Sequence, residues 1–497
     1  MGIVRKQSLI GSFWVYLGAG LGFITSGLLF PHFLEAEQIG LLNLLVTYGV
    51  LFSQIASAGF QNTITKMFPY FRDETKKHNG FMFLTLMVVF FASILVVGLY
   101  FIAEPFITQN NGQSGNLMQE YSILIIPLFI FIVLFNIFDS LTKALFNATR
   151  GILLKEVVLR ILTLLLIVCY IFHLIDFQKF VYWYVVCYGI IFLYMVVALF
   201  RDKQLFLHPD FSLIDKPMAN ELIQVSLYGI IITSASIIVI NIDRIMIEKL
   251  VIENPLAQVG IYTTCTYFAT MIMLPNRPLQ KITSTLVAEA WKRNDMEQLQ
   301  VLYQKSTVTQ LIIGTLVFFG LCINLDYIFQ IIPEEYSSGR WVIIFIGIFY
   351  LSDMAAGVNK DIVSNSPKYK KLSHWTIALI FVIIGLNLLF IPSFGITGAA
   401  VSSCIARILY NIVAFSYVNR KFKLQPYSYR HILILIIGAL SFVLCLLIPE
   451  TSNLIANILI KSGLLTIIFC ALIYVSKVSE DVNDMALSLF KKKKDKN

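Results

Sequence analysis

The sequence predicts an all-α integral membrane protein with fourteen transmembrane helices, two six-helix lobes in parallel pseudo-repeat plus a C-terminal helix pair. Three observations predict it. Of 497 residues, 58% are hydrophobic and 13% charged, whereas soluble domains carry about 25% charged residues. Folded in water, such a chain would expose far too much apolar surface. Apolar windows of about 20 residues recur along it, the length a helix needs to cross the hydrocarbon. The basic residues lie between those windows, almost all on one side. With the N-terminus inside, inner segments hold 29 Lys and Arg and outer segments 3, namely Lys179, Lys249 and Arg340. A missed helix in the middle would collapse that bias, so both termini are expected in the cytoplasm.

The windows run at 11–32, 40–62, 80–103, 121–142, 156–175, 180–200, 222–248, 258–280, 306–326, 341–363, 373–391, 397–419, 431–449 and 454–476. The first follows Arg5 and Lys6, and the second ends before the basic run Lys66 to Lys77. Between the third and fourth lies the longest outer segment, "EPFITQNNGQSGNLMQE" (104–120), with Gln113 expected outside. The fifth and sixth form a tight pair around Asp176, and the eleventh and twelfth another around Pro392. The basic stretch "RDKQLFLHPDFSLIDKP" (201–217) is the expected connection between lobes. The first lobe is thus 1–200, the linker 201–221, the second lobe 222–423, and the last pair with its basic tail 424–497. "EAEQIGLLNLL" before the second helix matches "NPLAQVGIYTT" before the eighth, with Gly40 and Gly260 in the same place. Parallel repeats of this kind recur in transporters.

The net charge of +9 invites a nucleic-acid reading, which the distribution excludes, because the cations sit in short loops between apolar windows. The tail "KKKKDKN" (491–497) suits anionic membrane lipid. All seven cysteines fall in apolar windows without a CxxC or Cys/His cluster, so neither disulfides nor a metal site is expected. His32, His173 and His374 stand apart at helix ends. No cleavable signal is expected after "MGIVRKQS", and Lys6 argues against myristoylation. No P-loop, nucleophile elbow or HExxH pattern occurs, so the chain is not read as an enzyme and no resident cofactor is expected.

Three stretches carry a resemblance: "IDRIMIEKLVIENPLAQVGIY" (242–262), "IPSFGITGAAVSS" (391–403) and "GLLFPHFLEAEQIGLLNLL" (27–45). The chain resembles the polysaccharide exporters of the MOP superfamily, flippases of the Wzx type. The resemblance runs over nearly the whole chain. It implies a secondary transporter of the cytoplasmic (inner) membrane, serving polysaccharide or lipopolysaccharide biosynthesis. Such proteins flip undecaprenyl-diphosphate-linked oligosaccharide, an O-antigen or capsule repeat unit, by alternating access. It further implies coupling to Na+ or H+, with membrane lipids and a glycan polymerase as partners.

Few charges lie inside the windows, where each costs at least about 2.5–3.5 kcal/mol and is seldom idle. Asp353 and Arg407 fall at depths of roughly 18 and 15 Å from their helix starts. They read equally well as a cavity pair or as a static lock between the tenth and twelfth helices. Asp243 and Arg244 are adjacent, so they diverge by about 100° around the helix. Asp243 is the expected coupling-ion ligand, with Asn387 and Thr397 as oxygen donors at similar depth and Asp353 as a second carboxylate. Arg244 either offsets Asp353 or contacts substrate phosphate; a structural ion network remains the alternative. Arg160, Arg277 and Lys360 lie about one turn inside the inner boundary. There they either snorkel to headgroups or take the substrate diphosphate. Arg277 stands between Pro275 and Pro278, which break the helix and suit cavity-lining backbone. Asn43 and Gln54, with Asn62, either face the cavity or bridge helices. Asp139 and Lys143 are spaced as a local i,i+4 pair.

Three other readings are weighed on the residues. A MATE-like exporter of small molecules or cations would place a carboxylate inside the first or second helix, and this chain has none there. A membrane glycan polymerase or glycosyltransferase needs catalytic groups on an outer loop, where only "PEEY" (333–336) qualifies. A lipid II flippase would carry basic residues in its first two helices; here neither window holds one, and Lys66 lies only at the inner end.

Overall fold

A computed structural model describes residues 2–109 and 115–479. Gln113 and the tail 491–497 lie outside the described residues. Among the described residues the regular structure is helical throughout, with no strand. Among the described residues, eleven helices are long and apolar enough to cross a membrane. Large apolar side chains point outward from them, Phe90, Leu95 and Ile102 among them. That inverts the habit of a soluble surface and suits lipid as the solvent. The chain is a multi-pass membrane protein.

The chain divides into two compact units, 1–264 and 265–497. In the first, α1 (Gly2–Gly22) passes into a π-helical stretch, Phe23–Leu29, just before Pro31. A proline lacks the N–H that would continue the ladder, so the register loosens there. Helix α2 (Ala36–Ala56) opens on a capping box formed by Glu35 and Gln38. Gly59, at φ 75°, turns the chain into α3 (Phe60–Phe71). Then follow α4 (Phe81–Thr108), α5 (Ile125–Ala144), α6 (Leu159–Ile171) and α7 (Phe177–Arg201). Asp215 accepts the Met218 N–H and starts α8 (Lys216–Leu250), 35 residues or roughly 52 Å long.

Helix α9 (Pro255–Thr270) ends in turns, and α10 (Asn276–Arg293) begins after Pro275. The eighth predicted window therefore breaks in the turns that end at Pro275, while Pro278, also expected to break the helix, lies within the first turn of α10. The second unit continues with α11 (Met296–Ile323), α12 (Arg340–Ala356) and the short α13 (Asn359–Ser364). Helical backbone then runs over α14 (Lys370–Phe422), broken at Gly395 (φ 56°, ψ −135°). The chain reverses there, so tightly that a side-chain carbon on Gly398 would strike the Phe390 carbonyl. The eleventh and twelfth windows are its two arms. Helices α15 (Tyr429–Leu446) and α16 (Leu454–Val475) pack on α11 through Val308, Leu311, Ile434, Ile437 and Phe469.

Eleven spans by length and composition, against fourteen predicted windows, differ at three places. The eleventh and twelfth windows run together in α14, on either side of the break at Gly395, the fifth carries Lys155, Glu156 and Arg160 around its short α6, and the eighth is cut at Pro275.

A charged cluster in the second unit and a polar seam in the first

Asp353 sits near the C-terminal end of α12, with its side chain 8% exposed. Gly357 stops that helix at φ 57°, with the Thr307 side chain packed where a side-chain carbon would go. After a short turn the chain enters α13, on which Lys360 lies 3.4 Å from Asp353 Oδ1. Arg407 and Asn411 lie one turn apart on the second arm of α14, so they share a face. Arg407 donates from Nε to Asp353 Oδ1 at 2.6 Å and from Nη2 to Oδ2, a fork on a carboxylate. Asn411 donates to Oδ1 at 2.9 Å and to Ser352 Oγ at 3.0 Å. The two cations lie over aromatic faces: Arg407 5.1 Å from the Phe349 ring, Lys360 5.3 Å from that of Tyr410.

Sequence depth alone matches Asp353 with Arg407. It places Lys360 about one turn inside the inner boundary without pairing it to Asp353. Lys360 and Arg407 thus share the Asp353 carboxylate, and both cations stay partly exposed, Arg407 at 19% and Lys360 at 29%. The cluster can hold an anion without giving up its own pairing.

In the first unit, Asp243 is buried and accepts the Tyr262 hydroxyl at 2.8 Å. Arg244 donates to Asn241 Oδ1 at 2.9 Å. Five residues beyond Asp243, Glu248 is 1% exposed. It accepts the Tyr48 hydroxyl at 2.8 Å and pairs with Lys249 at 3.1 Å. Lys249 also donates to the Ile107 and Gln109 carbonyls at 3.0 and 3.3 Å, at the end of α4. Sequence reading passes over Glu248, Tyr48 and Tyr262, since a charge at a window's end and tyrosines in a tyrosine-rich chain look ordinary.

Helices α2 and α3 meet α8 along a seam of small and neutral polar groups. Gln54 donates to Thr233 Oγ1 at 2.5 Å, Asn62 to the Gly229 carbonyl at 3.4 Å, and the Thr63 and Ser226 hydroxyls lie 2.8 Å apart. Gln54 and Asn62 thus bridge helices, while Asn43 turns to the Ile39 carbonyl of its own helix at 2.8 Å. At the far end α2 crosses α9. A side-chain carbon on Gly40 would strike the Leu256 carbonyl, and one on Gly260 the Ala36 carbonyl. Each pair of equivalent positions, 36 with 256 and 40 with 260, is 220 residues apart. The contact is therefore symmetric, as a repeat axis through it requires.

The remaining expected residues stand elsewhere. Arg160 lies 3.5 Å from Glu156 on the preceding turn. Arg277 is exposed at the start of α10, beside buried Asn276, which donates to Gln310 Oε1 at 3.2 Å. Asn387 is fully buried in the first arm of α14, and half-buried Thr397 follows the reversal. Asp139 and Lys143 pair at 2.5 Å. Lys461, which sequence reading misses, lies seven residues into α16 and reaches back to Glu450 at 2.8 Å.

A family model described as polysaccharide biosynthesis protein matches residues 4–276. No curated protein matches the sequence. Among solved structures the chain is similar to the lipid II flippase MurJ in an inward closed conformation. The TM-score is 0.76 at 13% identity over 94% of this chain and 98% of that one. It is also similar to an inward-facing multidrug resistance MATE family transporter of the MOP superfamily. There the TM-score is 0.66 at 16% identity, over 83% of this chain and 94% of that one. At such identities the likeness gives the fold, that of the MOP superfamily transporters. The model match spans more than half of the chain, and the protein belongs to the polysaccharide biosynthesis protein family.

Proposed function

We propose that this protein flips lipid-linked oligosaccharide, an undecaprenyl-diphosphate-borne repeat unit, across the cytoplasmic membrane by alternating access. The observation that carries the reading is the charged cluster. Two partly exposed cations share one carboxylate, Asp353 and Arg407 inside candidate spans and Lys360 just past the end of one, an arrangement that suits a diphosphate at the edge of the hydrocarbon. Family membership supports the glycan, and MurJ, a lipid flippase, shares the fold. Lys360 and Arg407 would hold the diphosphate. Asp243 would hold a coupling Na+ or H+. Fourteen spans with both termini inside are the topology this reading needs.

The test is flipping of a fluorescent undecaprenyl-diphosphate glycan in vesicles, read by quenching from outside. A hydrogen bond to a charged group is worth about 1.5–3 kcal/mol. Lys360→Gln, which leaves the Asp353–Arg407 fork intact, should therefore slow flipping about tenfold or more with folding unchanged. Asp243→Asn should abolish dependence on a Na+ or H+ gradient. Unchanged flipping in the first variant removes the cluster from the path; unchanged gradient dependence in the second removes Asp243 from coupling.

A further inference from the structure

The two arms of α14 leave a groove at the end away from Gly395. Its volume is about 510 Å3, and it is lined by Trp375 from the first arm and by Ile412, Val413, Tyr417, Arg420 and Lys421 from the second. The floor is aromatic: Trp375 packs edge-on against Tyr417 at 5.1 Å, and Tyr417 against Phe422 at 6.0 Å. Along the walls, Ile412 and Val413 are half exposed, at 53% and 48%. At the mouth, Arg420 and Lys421 are exposed and have no ion-pair partner among the described residues. One turn before Trp375, Lys370 and Lys371 begin the first arm. Four cations therefore belong to the same end of the two arms as the aromatic pair.

This gradation matches one kind of ligand. Tryptophan and tyrosine mark the level where lipid headgroups begin. Exposed aliphatic groups beyond them meet acyl chains, and unpaired cations at the mouth meet phosphate. Basic pockets between membrane helices take anionic headgroups for this reason. A soluble anion would use the cations and leave the apolar walls wet. A neutral lipid would cover the walls and leave the cations without a partner.

We propose that the groove between the arms of α14 is a binding site for an anionic phospholipid. Its phosphate lies between Arg420 and Lys421, and an acyl chain lies along Ile412 and Val413 below the Trp375–Tyr417 pair. The proposal does not depend on the flippase reading, since it concerns lipid of the membrane rather than cargo.

The experiment uses the full chain in nanodiscs doped with phosphatidylglycerol or phosphatidylcholine brominated on the acyl chain. Trp375 quenching is the difference between the natural protein and Trp375→Phe. Phosphatidylglycerol is expected to quench Trp375 at much lower mole fraction than phosphatidylcholine. The double variant Arg420→Gln with Lys421→Gln should weaken that response about thirtyfold, the factor carried by two cations at a headgroup. Both side chains are exposed, so the variant keeps its fold. Equal quenching by the two lipids, or an unchanged response in the double variant, overturns the proposal. So does displacement of phosphatidylglycerol by equimolar undecaprenyl diphosphate, which would make the groove a substrate route instead.

Discussion

The two units place polarity inside the membrane in opposite ways. The second concentrates it as charge at Asp353, Arg407 and Lys360. The first spreads it along α8 as hydroxyl and amide contacts: Gln54 to Thr233, Asn62 to Gly229 and Thr63 to Ser226. An ion pair, Glu248 with Lys249, stands at the far end of the same helix. The difference is one of separability. Removing one member of a buried ion pair costs about 3–5 kcal/mol. Single interhelical hydrogen bonds in a membrane average about 0.6 kcal/mol. A transporter needs a fixed centre that recognises cargo and a surface that opens and closes. On the proposed function, the cluster would serve as the first and the seam as the second.

The largest effect should come from breaking the cluster. Asp353→Ala leaves Arg407 and Lys360 at membrane depth without their carboxylate and should lower stability by about 3–5 kcal/mol. Thermal unfolding in detergent measures it. The exchange Asp353→Arg with Arg407→Asp should recover most of the stability if the pair is only a lock. If it also reads the substrate, stability returns and flipping does not. A loss below about 1 kcal/mol, the range of an exposed pair, would break the contrast between the units.

Next in size is the glycine crossing. Gly40→Leu or Gly260→Leu puts a side chain against the opposing backbone carbonyl, which has no rotamer to yield with. Overpacking of this kind costs about 1–3 kcal/mol. Gly98→Leu in α4, where nothing lies within 4 Å of the added carbon, is the control and should unfold at nearly the natural temperature. Equal shifts in all three variants would mean that helix propensity, not the crossing, sets the effect.

Much of this is legible in the sequence because hydrophobic length, loop charge and helix-breaking residues act locally. Each of the fourteen windows overlaps helical backbone, although the second, eighth and tenth run through turns, and Pro275 and Pro392 mark real breaks or lie one turn from one. Depth counting sets Asp353 beside Arg407. The symmetric glycines are visible as a repeat, though not as a contact, because a contact across 220 residues has no local signature. The pairing of Lys360 with Asp353 is not read from the sequence, because seven positions and the helix break at Gly357 separate them. Glu248 escapes notice because its burial at a helix end depends on Tyr48, two hundred residues away. Hydropathy registers which side chains avoid water; it does not register which ones find each other.

The smallest effect tests the seam itself. Gln54 and Thr233 lie 179 positions apart in sequence and 2.5 Å apart in space. Thr233 also donates to the Gly229 carbonyl at 2.6 Å, and Gln54 has Ser57 within 3.5 Å as a second acceptor. Each side chain thus has somewhere else to turn when the other is lost, which is why such bonds are weak in membranes. In a double-mutant cycle of Gln54→Leu and Thr233→Val, the coupling should be about 0.6 kcal/mol and no more than about 1.7 kcal/mol. Unfolding in mixed micelles reads it. A coupling within that range lets the seam open bond by bond. A coupling of about 3 kcal/mol, the scale of the buried ion pair, would make α2 and α8 a single fixed body. The surface that separates during transport would then have to lie elsewhere in the molecule.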